Sequence, residues 1–139
     1  LACGLDQIYP AQHRGLAKEI LATGGALVSE YDVGMPPLPH QFVERNRIIA
    51  ALSMGIIVTE AAQKSGALIT VRDGAMLGRI IMAVPGNVTS AYSAGPNNLL
   101  RTKDAQAITS GTDAIVAMAT VGPDGPTGTF PARAGPVPW

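Results

Sequence analysis

Two runs, "GIIVTEA" (residues 55–61) and "RIIMAVPGN" (79–87), constrain the fold of this chain more than any other feature. Each is short, apolar and rich in β-branched residues, and each is bounded by glycine or proline. Such a run reads as a strand buried on both faces. Between them lies "KSGALITVRDGAMLG", a Gly-containing loop entering a helical pattern that Gly78 ends. Strand, helix and strand at this spacing demand a parallel pair joined by a right-handed crossover. The predicted class is α/β, with a Rossmann-like, doubly wound, mostly parallel sheet flanked by helices.

The rest of the pattern extends that reading. Residues 1–3 read as the end of a strand, and "AQHRGLAKEILATGG" as a helix with Leu16, Ile20 and Leu21 on one face. Residues 26–30 read as a short strand. The loop "YDVGMPPLPHQF" carries three prolines, which fix their own φ and keep the preceding residue out of helical geometry. It is expected to be stiff. A helix should follow, with Ile48, Ile49 and Leu52 on one face, and "NNLLRT", "QAIT" and "DAIVAM" read as helix, strand and helix. Because the sequence opens on what reads as a strand end, the domain is expected to be incomplete at its N-terminus. From about residue 120 the chain turns rich in Pro and Gly without periodicity. The expected organisation is one domain over residues 1–119 and a disordered tail or linker over 120–139.

Composition excludes several classes. The formal net charge is zero, so no global field attracts nucleic acid or membrane, and an anion site must be local. A single cysteine, Cys3, rules out an internal disulfide and a Cys-rich zinc site, which points to the cytoplasm. No apolar run reaches the roughly 18–20 residues of a spanning helix.

In an open parallel sheet, ligands bind beyond the carboxyl ends of the strands. Loops 31–42, 60–70 and 85–98 are read as leaving those ends. In the second, Ser65 and Gly66 enter a helix, where free backbone N–H groups suit an anion, with Ser65 and Thr70 as added hydroxyl donors. The competing reading is a plain helix cap, a position serine favours whether or not anything binds.

The stretch "FVERNRIIAALSMG" raises a second question. Arg45 and Arg47 at a helix start would oppose the macrodipole, at a cost of about 0.3–1 kcal/mol each. Glu44 or an external anion would offset them, and an internal salt bridge to Glu30, Asp32 or Glu60 is the bland alternative. Phe42 beside two arginines and a rigid loop favours phosphate and base contact, since aromatics stack on bases and guanidiniums grip phosphates. From residue 40 to 103 seven basic residues (Arg45, Arg47, Lys64, Arg72, Arg79, Arg101, Lys103) face three acidic ones (Glu44, Glu60, Asp73), a local excess of +4. Catalytic patterns are missing: no HExxH, GxSxG, Walker A or GxGxxG occurs, and His13 and His40 are isolated. The expectation is a binding protein without a cofactor, and not an enzyme.

The ordered segments "CGLDQIYP", "GGALVSEY", "PPLPHQFVERNRIIAALSMGIIVTEAAQKSGALIT", "AVPGN" and "GPNNLLR" closely resemble the DNA-processing protein A family (DprA/Smf). The resemblance covers residues 1–117. It implies a Rossmann-like domain that binds single-stranded DNA, protects it during natural transformation and helps load a RecA-type recombinase. It also implies a homodimer. Carried onto this sequence, Phe42 matches the pocket aromatic, Arg45, Asn46 and Arg47 the RNR motif, and Ser65, Gly66 and Thr70 the SG-T loop, with Lys64 beside it as a further expected DNA contact. Leu99 and Leu100 fall where the family dimerises. Pro39 stands where some members carry a lysine, which removes one phosphate contact, and "GPNNLLRTKDA" lacks the family's Gly-Ala turn. The family's upstream phosphate loop has no counterpart in the sequence. Two other classes are weighed against this reading. A phosphoribohydrolase-like nucleotide enzyme would need a PGGxGTxxE signature, and "KSGALIT" stands in its place. A pure recombinase scaffold would leave Phe42 and the arginines without a task.

Overall fold

The computed structural model describes residues 1–119. They contain five α-helices and three strands: α1 (Arg14–Ala22), α2 (Pro39–Leu52), β1 (Gly55–Val58), α3 (Ala67–Met76), β2 (Ile80–Ala83), α4 (Ala94–Arg101), β3 (Gln106–Ala107) and α5 (Gly111–Ala119). Short 3₁₀ turns at Ala11–His13 and Ala91–Ser93 lead into α1 and α4. The chain divides into two compact units, Leu1–Asn46 and the residues from Arg47 onward. The predicted tail over 120–139 lies outside the described residues.

The second unit is the α/β core that the two apolar runs predict. Its strands are parallel and ordered β1-β2-β3, with Gly55 opposite Ile80, Val58 opposite Ala83, and Met82 opposite Gln106. The described strands step in one direction, so the reversal that defines double winding is not among them. Side chains alternate between faces along a strand. One face gathers Val58, Ala61, Val71 and Ile81, with Ile56, Leu68 and Leu99 packed against them. The other gathers Met82, Ile108 and Ala114, joined by Ile80 and Val84. Met82 is wholly buried. Helix α3 lies so close to the sheet that a Cβ on Gly74 would stand 2.2 Å from Ile56 Cδ1. Any larger residue at that helix position would have to displace the Ile56 side chain.

Side-chain hydrogen bonds finish the unit's turns. Asp113 Oδ2 accepts from the backbone N–H groups of Thr109 (2.8 Å) and Ser110 (3.0 Å), while the Asp113 N–H donates to Ser110 Oγ (3.2 Å). That reciprocal cap starts α5. In α4, the Asn97 amide accepts from the Gly86 N–H at 3.1 Å and donates to the Gly86 carbonyl at 3.0 Å, which ties down the loop after β2.

The first unit departs from expectation. Neither residues 1–3 nor residues 26–30 form a strand. They are linked by the Leu1 amino group donating to the Val28 carbonyl and by Ser29 Oγ donating to the Cys3 carbonyl. A strand needs a repeating backbone ladder, and these contacts do not make one. Loop 31–42 therefore does not leave a strand end, contrary to the sequence reading. It is stiffened instead by long-range bonds. The Gly4 N–H donates to the Met35 carbonyl (2.9 Å), and the Gly34 N–H donates to Asp6 Oδ1 (2.8 Å). Gly4 has no room for a side chain, because a Cβ there would lie 2.5 Å from both the Asp32 carbonyl and Asp6 Oδ1.

The predicted apolar faces of the first two helices also differ. Leu16 and Leu21 on α1, and Ile49 and Leu52 on α2, are exposed, while Ala17 and Ala50 are buried. Periodicity identifies residues that share a face, but not whether the chain supplies a cover for it.

Candidate nucleic-acid interface

Helix α2 starts earlier than the arginines suggest. Pro39 occupies its first position, where a missing N–H costs nothing. Gln41, buried to 2% exposure, turns its side chain back so that Oε1 accepts the Leu38 N–H at 2.8 Å. The Gln41 N–H in turn donates to the Leu38 carbonyl at 3.1 Å. This is the glutamine half of a capping box, with a leucine in place of the usual serine. Arg45 and Arg47 consequently sit in the middle of a 14-residue helix. The expected conflict with the macrodipole does not arise, since that effect is confined to the terminal turn.

Phe42 and Arg45 are one turn apart on α2 and meet. The Arg45 guanidinium carbon lies 5.8 Å from the centroid of the Phe42 ring, within range of a cation–π contact. Arg45 Nε donates to Asn46 Oδ1 across a long 3.4 Å. Both Phe42 and Arg45 are half-buried, and Arg47 is exposed. Glu44, expected as a partner for the arginines, accepts the Tyr31 hydroxyl at 2.9 Å. That hydroxyl also reaches the Gln41 carbonyl at 3.3 Å, bracing the start of the helix.

A second aromatic completes this cluster. The Tyr9 ring centroid is 5.8 Å from that of Phe42, with the planes inclined by 66°. Tyr9 belongs to the pinned opening segment and is 55% exposed. Sequence reasoning did not single it out. Phe42 and Arg45 announce each other at i, i+3 spacing, whereas Tyr9 comes from a distant loop, with nothing local to mark it.

In the second unit, Lys64, Ser65, Gly66 and Thr70 are gathered at the start of α3. Ser65 Oγ accepts the Ala67 N–H at 3.3 Å, and the Ser65 carbonyl accepts the Leu68 N–H at 3.1 Å. Gly66 has ordinary helical angles, φ −59° and ψ −24°. A Cβ added there would meet nothing within 4 Å. The fold thus makes no demand for glycine at 66, whereas at 74 a side chain would crowd Ile56. Lys64 is exposed, and Thr70 is half-buried on the fourth residue of α3.

Several members of the basic excess are occupied internally, among them Arg101, which donates to Asn98 Oδ1 at 2.7 Å. Arg72 pairs with Asp73 at 3.3 Å, and the buried Arg79 donates to the Ala51 carbonyl at 2.6 Å. Leu99 packs on the α3 side of the sheet and Leu100 is half-buried. Among the described residues, no group of His, Cys, Asp or Glu is placed to hold a metal ion, and no helix is long and apolar enough to cross a membrane.

The sequence pattern of the family described as DNA recombination-mediator protein A matches residues 1–119. Protein Smf of Escherichia coli K12 is 46% identical over 101 residues, which are 73% of this chain and 27% of that protein. DNA processing protein DprA of Streptococcus pneumoniae R6 is 37% identical over 115 residues, 83% of this chain and 40% of that protein. The chain therefore spans well under half the length of these relatives. Among solved structures, DNA processing protein A from S. pneumoniae superimposes with a TM-score of 0.68 at 34% identity, covering 83% of this chain and 40% of that one. DNA processing protein A from Helicobacter pylori, solved for its unique single-stranded DNA binding mode, gives a TM-score of 0.73 at 30% identity, covering 85% and 54%.

Proposed function

The chain belongs to the DNA recombination-mediator protein A family, and from that premise we propose that it binds single-stranded DNA without regard to sequence. The observation that carries this reading is the Phe42 ring with the Arg45 guanidinium 5.8 Å from its centroid. A ring offers a stacking face to any base, and a neighbouring guanidinium offers charge to the adjoining phosphate. Arg47 and Asn46 extend the polar contacts along α2. At α3, the Ser65 hydroxyl receives a phosphate oxygen, with Lys64 supplying charge and Thr70 a further hydroxyl. The open space over Gly66 supports that assignment, because backbone approach requires room.

The role assigned to the whole protein is to hold incoming single strands in the cytoplasm and pass them to a RecA-type recombinase during natural transformation. It acts as a homodimer through the helix bearing Leu99 and Leu100, and without a catalytic step. The similarity of the chain to a protein solved for its single-stranded DNA binding mode supports the binding part.

The test is a fluorescence-anisotropy titration with a dT oligonucleotide and with a duplex, at two salt concentrations. Preferential binding of the single strand, weakened by salt, is expected, because phosphate contacts release counterions. Phe42→Ala should weaken it by roughly five- to a hundredfold. Equal affinity of the two proteins, or no binding at all, overturns the reading.

A further inference from the structure

We propose that Tyr9 is a second base-stacking surface, and that its inclination to Phe42 makes this site select single strands over duplex. The proposal rests on Phe42 being a stacking surface and adds the residue that sets selectivity.

The chain is poor in aromatics, only 4%, yet two of them meet here beside an arginine. Tyr9 keeps 55% of its surface open while its ring stands against Phe42. A tyrosine placed only to brace Phe42 would gain more by being covered. The segment that carries it is fixed. Gly4 and Asp6 bind the 32–35 loop, and Cys3 Sγ donates to the Gln7 carbonyl at 3.4 Å. The ring is therefore presented from an ordered backbone, and little ordering is left for a ligand to impose.

The geometry then decides what fits. Successive bases in a duplex lie nearly parallel, about 3.4 Å apart along each strand. Two neighbouring bases laid on rings inclined by 66° cannot stay parallel. They must unstack and splay, as bases of single strands do on aromatic side chains. A single strand gives up one stacking step. A duplex would also have to break base pairs, so it is rejected without any group that repels it.

The experiment titrates the protein and its Tyr9→Ala, Tyr9→Leu, Tyr9→Phe and Phe42→Ala variants with a single strand containing adjacent 2-aminopurines. Anisotropy reads affinity, and the circular-dichroism exciton band of the stacked pair reads splaying. Tyr9→Phe should bind within about twofold of the parent and abolish the band on binding. Tyr9→Ala should lose roughly five- to a hundredfold in affinity and leave the band largely intact. Tyr9→Leu keeps an apolar contact on Phe42 without a stacking face, so it guards against a folding defect and should behave like Tyr9→Ala. If Tyr9→Leu still abolishes the band at parental affinity, Tyr9 is only a strut and the proposal fails while the Phe42 reading stands. If Tyr9→Leu weakens binding yet still abolishes the band, the proposal fails equally. No binding of the single strand by the parent, or no effect of Phe42→Ala on affinity, removes both readings.

Discussion

Up to Asn46 the buried apolar residues are small, namely Ala2, Cys3 and Ala17, whereas beyond Arg47 the sheet buries Val58, Val71, Ile81, Met82 and Ile108. The first unit holds its shape with polar reach. Asp6 grips Gly34, Gln41 caps Leu38, Tyr31 binds Glu44, and Gly4 binds Met35. The second holds its shape by interdigitating apolar side chains on both faces of a sheet. The aromatic cluster sits in the unit with the weaker core. A surface that must present open rings cannot also bury them, so directional hydrogen bonds take over the task of fixing the backbone.

That contrast can be broken by substitution, and the sheet should register the largest effect. Met82→Ala removes a wholly buried side chain and should cost about 2–5 kcal/mol in urea unfolding. A loss below about 1 kcal/mol would mean that the strand core is not what holds the second unit. In the first unit, Gln41→Ala should cost about 1–2 kcal/mol, through the lost cap and an orphaned Leu38 N–H. If an apolar isostere such as Gln41→Leu were neutral, packing rather than polar reach would be the stabilising force there.

Acid gives a finer comparison. The Gly34 N–H beside Asp6 holds its carboxyl below the usual value, and the N–H of Thr109 does the same for Asp113. For a carboxylate whose folded pKa is depressed, the stabilisation is complete above the unfolded value, near 4, and disappears as pH falls through the folded one. Both contacts should therefore loosen below about pH 4. Asp6 joins segments 28 residues apart, while Asp113 closes its own turn. Hydrogen exchange at the Gly34 amide should accelerate on acidification, with the change spreading through residues 31–36. At Thr109 it should stay local. Asp6→Asn should flatten the first response and leave the second.

The smallest expected effect on stability is at Gly66. With helical angles and empty space around it, Gly66→Ala should shift stability by no more than about 0.5 kcal/mol. Single-strand affinity should nonetheless fall, as measured by the same anisotropy titration. Undiminished affinity would remove the α3 turn from the proposed interface.

The sheet was legible because burial on both faces leaves a sequence trace, continuous β-branched runs broken by glycine. The fold of residues 55–119 follows from it closely, although β1 ends at Val58 rather than Ala61. The first unit was read less well for a physical reason. Residues 26–30 have the composition of a strand, but among the described residues no ladder partner reaches them, and partnership is set far away in sequence. Helix α2 was placed late because its cap is a leucine. The signals for its true start were Pro39 at the first position and Gln41 two residues on. Within the candidate site, Phe42 and Arg45 were visible as an aromatic beside arginines at the end of a Pro-rich loop, and Tyr9 was not, because only the folded chain brings it to Phe42.

The Asn97 amide has a consequence for the ageing of the molecule. It closes two hydrogen bonds on one glycine, donating with nitrogen and accepting with oxygen. Asparagine is chemically labile, and slow hydrolysis of its amide leaves an aspartate, which can only accept. The carboxylate would keep the Gly86 N–H and repel the Gly86 carbonyl. Conversion of Asn97 to aspartate would add one negative charge at that loop and lose half of the clamp, a change that intact-mass and charge-variant profiles would record.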